Sequence, residues 1–258
     1  MKKGSGTRSG LLWEVERILD ECEELPQILL MENVPQVIGE KNRDAFRDWF
    51  CKLESLGYKS YYTIMNGKDY EIPQNRKRCF MVSVLGDHFY DFPRPIPLKL
   101  LWKDILEKVV DEKYFLSDTT IKKISKWNAG NDPLKYIDKE RDVSPCITAR
   151  GAGELHSEMV IVKDICFYDY YNKKEVSEDI RGTITTRTGH RGSGTFLVEH
   201  KPTNRFRVLT PKECFRLMGV KDEDFERVAR NQSNSSLYHL AGDSIITNCL
   251  MAIFKEML

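Results

Sequence analysis

The sequence predicts an α/β fold in which helices cover both faces of a mostly parallel sheet, with a smaller region built mainly of strands. The order helix–strand–helix–strand over residues 9–85 places strands between helical layers. The apolar run Ile28–Met31 lacks the alternation of a half-exposed strand, which indicates a strand buried on both faces, as in a parallel sheet. Residues 142–200 are rich in glycine, threonine and strand-like segments, which predicts the second region.

The elements of the α/β layer are predicted from helical periodicity and from the residues that end each helix. Residues 9–24 place apolar side chains on one helical stripe, and Pro26 ends that helix. Residues 42–56 form a second amphipathic pattern, which Gly57 ends. Two strand-like segments follow, Tyr58–Met65 and Cys79–Leu85.

A boundary and a strand-like middle region follow the α/β layer. The three prolines of Phe92–Pro97 resist both helix and sheet, so a domain boundary is predicted there. Two short helical patterns come next, Leu101–Val110 and Thr119–Trp127. Two similar segments, 144–162 and 182–199, each predict a β-hairpin.

The end of the chain returns to helix. Thr210 and Glu213 form a capping box with a proline at the first helical position, which predicts a helix start. Residues 244–258 are amphipathic. We therefore predict three regions: a first domain over residues 1–92, a second over 93–204, and C-terminal helices over 205–258 that return to the first.

Composition excludes several classes of protein. The chain has 258 residues, 41% of them hydrophobic, which is too many for a disordered protein. No apolar run approaches about 18 residues, so no membrane partner is expected. The seven cysteines are odd in number and form no C-x-x-C pair, which favours a reduced protein of the cytoplasm. The five histidines have no zinc spacing, so no metal is predicted. The net charge of +1 excludes a uniformly basic protein but allows a local basic patch.

Two candidate sites adjoin the predicted sheet. Glu32-Asn33 follows the apolar strand, and ligands of open α/β sheets bind at the carboxyl ends of strands. Its carboxyl group either donates a proton from a partly desolvated site or lies in an ordinary solvated turn. Residues 74–78 combine two amides with three cations, which suits contacts to phosphates and bases but also suits a solvated loop.

The third candidate site is the basic stretch Arg181–Arg207. Six cations oppose Glu199 alone, and glycines and threonines accompany them. Such a stretch suits a loop that contacts bases in a DNA groove, although a solvated surface has the same composition.

Read together, four segments resemble the DNA (cytosine-5) methyltransferases. Glu32-Asn33-Val34 is similar to the Glu-Asn-Val motif of that family, and residues 74–78 are similar to its Gln-x-Arg-x-Arg motif. Residues 207–219 and 241–248 resemble its last two motifs, with Asp243 where asparagine is commoner. The resemblance implies the C-terminal part of a Rossmann-like, S-adenosylmethionine-dependent catalytic domain, with a mostly β target-recognition domain over residues 93–204.

The resemblance also implies roles for the catalytic residues. The target cytosine is flipped out of duplex DNA, and a cysteine thiolate attacks its C6 atom. Glu32 binds or protonates N3, and Asn33 orients the turn that carries Glu32. Arg78 approaches the cytosine O2 atom, and Arg76 helps to hold the catalytic loop.

Cofactor and DNA contacts follow from the same resemblance. Part of the S-adenosylmethionine site is implied at Gly242, Asp243 and Ser244. The candidate DNA-binding residues are Gln74, Thr185, Thr186, Arg187 and Arg191. Glu213 and Arg216 are expected to brace the sheet against the recognition domain.

Two motifs of the family are not found ahead of Glu32: the Phe-x-Gly-x-Gly segment of the cofactor site and the Pro-Cys nucleophile loop. Cys22 lies on the apolar stripe of the first helix and is predicted to be a core residue, and Cys146 follows the second motif, out of order for a nucleophile. We expect the chain to be inactive alone, with a missing N-terminal segment or a complementary subunit supplying the cysteine. A truncated gene and a non-catalytic, sequence-specific DNA-binding module are the alternatives.

Overall fold

The computed structural model describes residues 11–115, 117, 119, 159–161, 166–169, 174–175, 197–200 and 205–257. Contacts divide the chain into two compact units. Unit 1 comprises residues 1–65, 77–94 and 252–258, and unit 2 comprises residues 66–76 and 95–251. The predicted division into 1–92, 93–204 and 205–258 stays a prediction.

Unit 1 is a small sheet with helices. Its elements are α1 (Leu11–Glu21), β1 (Ile28–Asn33), α2 (Arg43–Ser55), β2 (Tyr58–Asn66, with its last residue in unit 2) and β3 (Lys77–Leu85). The strand order is β1-β3-β2, and β1 runs antiparallel to β3, with Ile28 opposite Val84 and Asn33 opposite Cys79. The predicted elements are therefore present, with ends within a few residues of the predicted ones.

The core of unit 1 lies between the helices and one face of the sheet. Phe46, Trp49 and Leu53 of α2 are buried at helical spacing and pack in one cluster with Leu19 of α1 and Met81 of β3. The predicted helix end at Gly57 is confirmed, because that glycine has a φ of 90°, which is open to glycine at little cost.

Two expectations for unit 1 are wrong. Strand β1 is not buried on both faces: it is an edge strand, and Ile28 is 43% exposed. Cys22 is not a core residue, because α1 ends at Glu21 and leaves Cys22 exposed in the following turn.

Unit 2 contains a five-stranded sheet with the order β6-β5-β4-β7-β8. The strands are β4 (Met159–Ile161), β5 (Cys166–Asp169), β6 (Lys174–Glu175), β7 (Leu197–His200) and β8 (Arg205–Val208). Strands β4 and β7 are parallel, and the other pairs are antiparallel. Most of the two predicted hairpins, and the predicted helix Thr119–Trp127, lie outside the described residues.

Four helices follow strand β8: α3 (Pro211–Arg216), α4 (Asp222–Ala229), α5 (Asn234–Asp243) and α6 (Thr247–Lys255). The predicted capping box is confirmed: Thr210 Oγ1 accepts from the Glu213 N–H, and Glu213 Oε2 accepts from the Thr210 N–H. The predicted helix Leu101–Val110 is wrong, since only a 3₁₀ turn forms at Trp102–Ile105. The β-branched pair Val109-Val110 opposes its extension.

Residues 234–255 form the one segment of the described chain that is long and apolar enough to cross a membrane. The backbone of Ser244 is extended within this segment, with φ −74° and ψ 162°, so α5 and α6 are separate helices. In the most apolar 18 residues of this segment, 44% is buried inside the protein.

A buried ion pair connects strand β8 to helix α3. Arg207 Nη1 and Nη2 donate to Glu213 Oε2 and Oε1, each at 2.7 Å, and neither side chain is more than 1% exposed. The same carboxylate accepts from the backbone N–H groups of Thr210 and Glu107, each at 2.8 Å. Each carboxylate oxygen of Glu213 therefore accepts two hydrogen bonds from groups of unit 2.

Candidate active site

Glu32 and Arg78 form an ion pair at the carboxyl end of β1. The antiparallel register places Glu32 opposite Phe80 and Asn33 opposite Cys79, so Arg78 comes just beyond the last pair. Arg78 Nε lies 2.8 Å from Glu32 Oε1, and the exposed fractions of the side chains are 17% and 20%. The strand pairing thus brings two residues from separate motifs into one partly desolvated site.

Asn33 shapes the turn that follows Glu32. Its Oδ1 atom accepts a hydrogen bond from the Val34 N–H at 2.8 Å. The chain then leaves the sheet into a 3₁₀ turn over Pro35–Ile38, with proline at its first position. A residue that orients the Glu32 turn is expected to make such a local contact.

Two of the three described cysteines of unit 1, Cys22 and Cys79, do not place a reactive thiolate beside Glu32. Cys79 is fully buried, and burial, reinforced by the charge of Glu32, raises the pKa of its thiol to about 11. Cys22 lies near Tyr58, whose hydroxyl donates to the Pro26 carbonyl just ahead of β1. It is therefore at the opposite end of the strand from Glu32.

Residues 74–76 belong to unit 2, where two of their side chains point into the protein. Gln74 is fully buried, and its Nε2 donates to the Leu217 carbonyl at 2.6 Å. This placement differs from the expectation that Gln74 contacts DNA, because its amide hydrogen-bonds within the protein. Arg76 is 4% exposed, and its Nη2 donates to the carbonyl oxygens of Gly242 and Ser244, each at 3.0 Å.

The Gly242–Ser244 turn is the candidate cofactor wall in unit 2. Helix α5 ends at Asp243, and Ser244 Oγ donates to the Ala241 carbonyl at 3.0 Å. Gly242 is buried while Asp243 is exposed. Arg76 therefore holds the carbonyl groups of Gly242 and Ser244, and the turn presents the exposed carboxylate of Asp243.

The loop between β2 and β3, which carries Gln74 and Arg76, has an unusual backbone. Glu71 has a φ of 63°, the one positive value among the described residues other than glycine. A Cβ atom at Gly67 would lie 3.0 Å from the Gln74 carbonyl oxygen and closer still to Ile246 Cδ1, so a side chain there would require these neighbours to shift. No sequence pattern predicts the positive φ of Glu71, because no residue typical of turns stands at that position.

Structural roles replace some expected DNA contacts. Arg207, counted in the basic stretch, is buried against Glu213 and is not part of a DNA surface. Arg216 donates to the Ile105 carbonyl at 2.8 Å and pairs with Asp222, which agrees with a bracing role. Thr185, Thr186, Arg187 and Arg191 lie outside the described residues.

Glu32, Asn33 and Arg78 lie at a strand end, and Arg76 makes the contacts described above. The chain that carries these residues is similar to known proteins. The model of the C-5 cytosine-specific DNA methylases matches residues 1–258. The chain belongs to this family. The predicted family is confirmed, and the α/β fold is that of the DNA methylases.

Two bacterial methylases illustrate the relationship. The type II methyltransferase M2.ScrFI of Lactococcus lactis is 32% identical over 254 residues, covering 98% of this chain and 59% of the relative. The orphan methyltransferase M.SssI of Spiroplasma monobiae is 38% identical over 262 residues, covering all of this chain and 60% of the relative. The chain thus spans about 60% of the length of these methylases.

Solved structures give the fold. The S. pombe Dnmt2 methyltransferase matches 96% of this chain and 72% of its own, with a TM-score of 0.64 and 17% identity. The Entamoeba histolytica methyltransferase EhMeth matches 96% and 69%, with a TM-score of 0.63 and 17% identity. At this identity the similarity supports the methyltransferase fold alone.

Proposed function

We propose that this chain provides the cytosine-activating part of a DNA (cytosine-5) methyltransferase, which transfers a methyl group to C5 of cytosine in a specific duplex site. The observation that carries the proposal is the Glu32–Arg78 ion pair, 2.8 Å long and mostly shielded from water, at the carboxyl end of β1. Family membership supplies the reaction class, and the pair supplies the groups that this reaction needs.

The pair matches adjacent atoms of the cytosine ring. N3 and O2 are neighbours in the ring, and both gain electron density when a thiolate adds to C6. With cytosine bound, we assign the Glu32 carboxyl to N3 and the Arg78 guanidinium to O2, where a proton shared with N3 and a hydrogen bond to O2 stabilise that density. Cytosine therefore has to separate the Glu32–Arg78 pair, because a carboxylate without a proton would repel the electron density on N3.

The remaining steps regenerate the ring. S-adenosylmethionine supplies an electrophilic methyl group, whose bond to sulfur breaks as the bond to C5 forms. A base then removes the C5 proton, the C6–S bond breaks, and the electron pair returns to the thiolate. In unit 2 we assign to Gly242, Asp243 and Ser244 one part of the cofactor site, with Arg76 holding their backbone.

We assign the nucleophilic cysteine to polypeptide outside residues 1–258, either an N-terminal segment or a complementary subunit. The assignment is supported by Cys79, which is buried with its pKa raised to about 11, and by Cys22, which lies at the wrong end of β1. The chain alone is accordingly inactive in this proposal. A protein that acts on DNA in this way is an intracellular one.

Labelled methyl transfer tests the function. The chain is mixed with duplex DNA, labelled S-adenosylmethionine and the part of M.SssI outside its match to this chain. We expect labelled DNA from the mixture and none from the chain alone, and Glu32→Gln lowers the rate by roughly 10²-fold or more. Transfer by the chain alone would contradict the assignment of the cysteine, and a fully active Glu32→Gln mixture would contradict the role of Glu32.

Target recognition is proposed for Thr185, Thr186, Arg187 and Arg191. Replacing Arg187 and Arg191 by alanine is expected to weaken DNA binding and to lower the slope of log affinity against log salt by roughly 1 for each lost phosphate contact. An unchanged affinity and slope would remove both residues from the interface. The alternative function, a DNA-binding module without chemistry, predicts binding to DNA but no transfer in any mixture.

A further inference from the structure

Three exposed cations lie at the end of the unit 1 sheet that carries the candidate active site. Lys77 is the first residue of β3 and directly precedes Arg78, whose Nη1 donates to the Lys77 carbonyl at 2.9 Å. Lys41 and Arg43 belong to a second 3₁₀ turn after β1 and to the start of α2, respectively. All three residues are exposed. We call Lys41, Arg43 and Lys77 the basic rim.

The chain that follows β1 is folded back on itself. The 3₁₀ turn Pro35–Ile38 contacts β3 and also the segment Glu40–Asn42. The side chain of Asn42 donates to the Gln36 carbonyl at 2.8 Å. Asn42 lies between the first two cations of the basic rim, so both are held beside the turn that follows Glu32.

The basic rim differs from the cations at the opposite end of the sheet, which are paired. Lys59 at the start of β2 forms an ion pair with Asp87, which follows β3. Lys52 near the end of α2 pairs with Asp20 at 2.5 Å. Within the part of the chain that the structure describes, none of the rim side chains makes an ion pair. Their charges are therefore available to a ligand.

Local folding does not account for the charge of the basic rim. Lys41 and Arg43 lie at the start of α2, where the free N–H groups of the helix carry partial positive charge and disfavour cations. Asp44, the acid of that first turn, is paired with Arg47 at 3.6 Å. This leaves Glu40 as the exposed acid of the segment, against the three cations, so the net charge is +2. An anionic ligand would compensate this charge.

We infer that the basic rim binds the phosphates on either side of the target cytosine. The inference rests on the proposed function, in which Glu32 and Arg78 hold a cytosine that has left the duplex. A flipped nucleotide turns about its own backbone, so its neighbouring phosphates lie at the opening of the site that holds the base. Lysine and arginine there supply charge-assisted hydrogen bonds to phosphate oxygens. The rim thus takes the DNA-contacting role expected of Gln74, whose amide is used inside unit 2.

Binding to DNA with neutral phosphates tests the inference. The probe is a labelled duplex with one cytosine opposite an abasic site, where the base leaves the stack at low cost, and the whole 258-residue chain is the receptor. In a second duplex, uncharged methylphosphonates replace the phosphates on both sides of that cytosine. We expect this replacement to raise the dissociation constant, measured by fluorescence anisotropy, by roughly tenfold or more.

The triple variant Lys41→Gln/Arg43→Gln/Lys77→Gln is expected to bind both duplexes equally. It is also expected to lower the slope of log affinity against log salt by roughly 1 for each lost phosphate contact. Lys59→Gln is the matched control, because it removes an exposed lysine at the opposite end of the sheet, and it leaves the slope and the methylphosphonate effect unchanged. Circular dichroism checks that each variant is folded.

Several results would overturn the inference. They are failure of the chain to bind the probe, a methylphosphonate effect that persists in the triple variant, and equal effects of the triple variant and Lys59→Gln. Displacement of the probe by inorganic phosphate at unchanged ionic strength would overturn it in favour of a site for free phosphate. Equally tight binding of an RNA duplex of the same sequence would overturn it in favour of RNA.

Methyl transfer separates this inference from the proposed function. The assay is the one with labelled S-adenosylmethionine and the part of M.SssI outside its match to this chain. The expected methylphosphonate effect without transfer in any mixture would uphold the basic rim and contradict the proposed function. Transfer at equal rates by the triple variant and the unsubstituted chain, without a methylphosphonate effect, would overturn the basic rim alone.

Discussion

The buried pair of Arg207 and Glu213 allows a quantitative prediction. Glu213 accepts four hydrogen bonds of 2.7–2.8 Å, two from Arg207 and two from backbone N–H groups, in a site that is almost fully shielded from water. Replacing Arg207 by methionine keeps most of the volume but leaves a buried carboxylate with only its backbone donors. Loss of one partner of such a pair costs about 3–5 kcal/mol of unfolding free energy.

The matched variants are Glu213→Gln and the double variant. Glu213→Gln places an amide NH₂ group where one carboxylate oxygen accepted two hydrogen bonds, so it is expected to cost a similar amount. The double variant removes both charges together, and its loss is expected to fall below the sum of the single losses by about 1–3 kcal/mol. Urea denaturation followed by circular dichroism measures each value.

An exposed pair serves as the control. Lys212 Nζ lies 2.6 Å from Glu226 Oε1, but the Glu226 side chain is 58% exposed. Glu226→Gln is therefore expected to change the unfolding free energy by under about 1 kcal/mol. Additive losses in the double variant, or an Arg207→Met loss no larger than that of Glu226→Gln, would refute the argument that burial makes the first pair essential.

Three further predictions concern single positions. At pH 8 a pKa of about 11 leaves roughly one Cys79 thiol in a thousand ionised, so iodoacetamide should modify exposed Cys22 first, as peptide mass spectrometry would show. Because folding raises the pKa of Cys79, its protonated form stabilises the folded chain below about pH 9, and this stabilisation is lost as the pH rises from 9 to 11. Glu71→Gly should stabilise the chain by about 1 kcal/mol in thermal unfolding, because it relieves a φ of 63°; a lower midpoint would show that Glu71 compensates for its strain. Gly219→Ala should destabilise the chain by about 2 kcal/mol or more, since its Cβ would lie 2.4 Å from Thr247 Oγ1, whereas Gly86→Ala, with similar φ and only ordinary van der Waals contacts to His88, should cost about 1 kcal/mol; equal losses would remove the steric argument.

Short sequence patterns predicted the features that depend on residues close together in the chain. The capping box at Thr210 and the helix end at Gly57 depend on residues a few positions apart, and both were confirmed. The Glu32–Arg78 pair depends on the register between β1 and β3, which no short pattern contains, although the two motifs placed both residues among the catalytic candidates.

Burial of polar side chains was the main feature that the sequence did not predict. Gln74 and Arg207 are residue types that commonly contact DNA. Both lie inside unit 2, where Gln74 donates to a distant backbone carbonyl and Arg207 pairs with a carboxylate. The expected burial of β1 on both faces was wrong, because an apolar run alone does not show whether a second strand pairs with it.

Unit 1 is discontinuous along the chain, and this has a consequence for biosynthesis. Its last segment, residues 252–258, follows about 160 residues of unit 2, and the Tyr90 hydroxyl donates to the Ile253 carbonyl within unit 1 at 3.3 Å. Residues 252–258 must therefore be synthesised before this unit can close. Strands β1, β2 and β3 are synthesised first. Unit 1, with apolar β1 at the edge of its sheet, stays incomplete while the middle of the chain is translated, at about 5–20 residues per second.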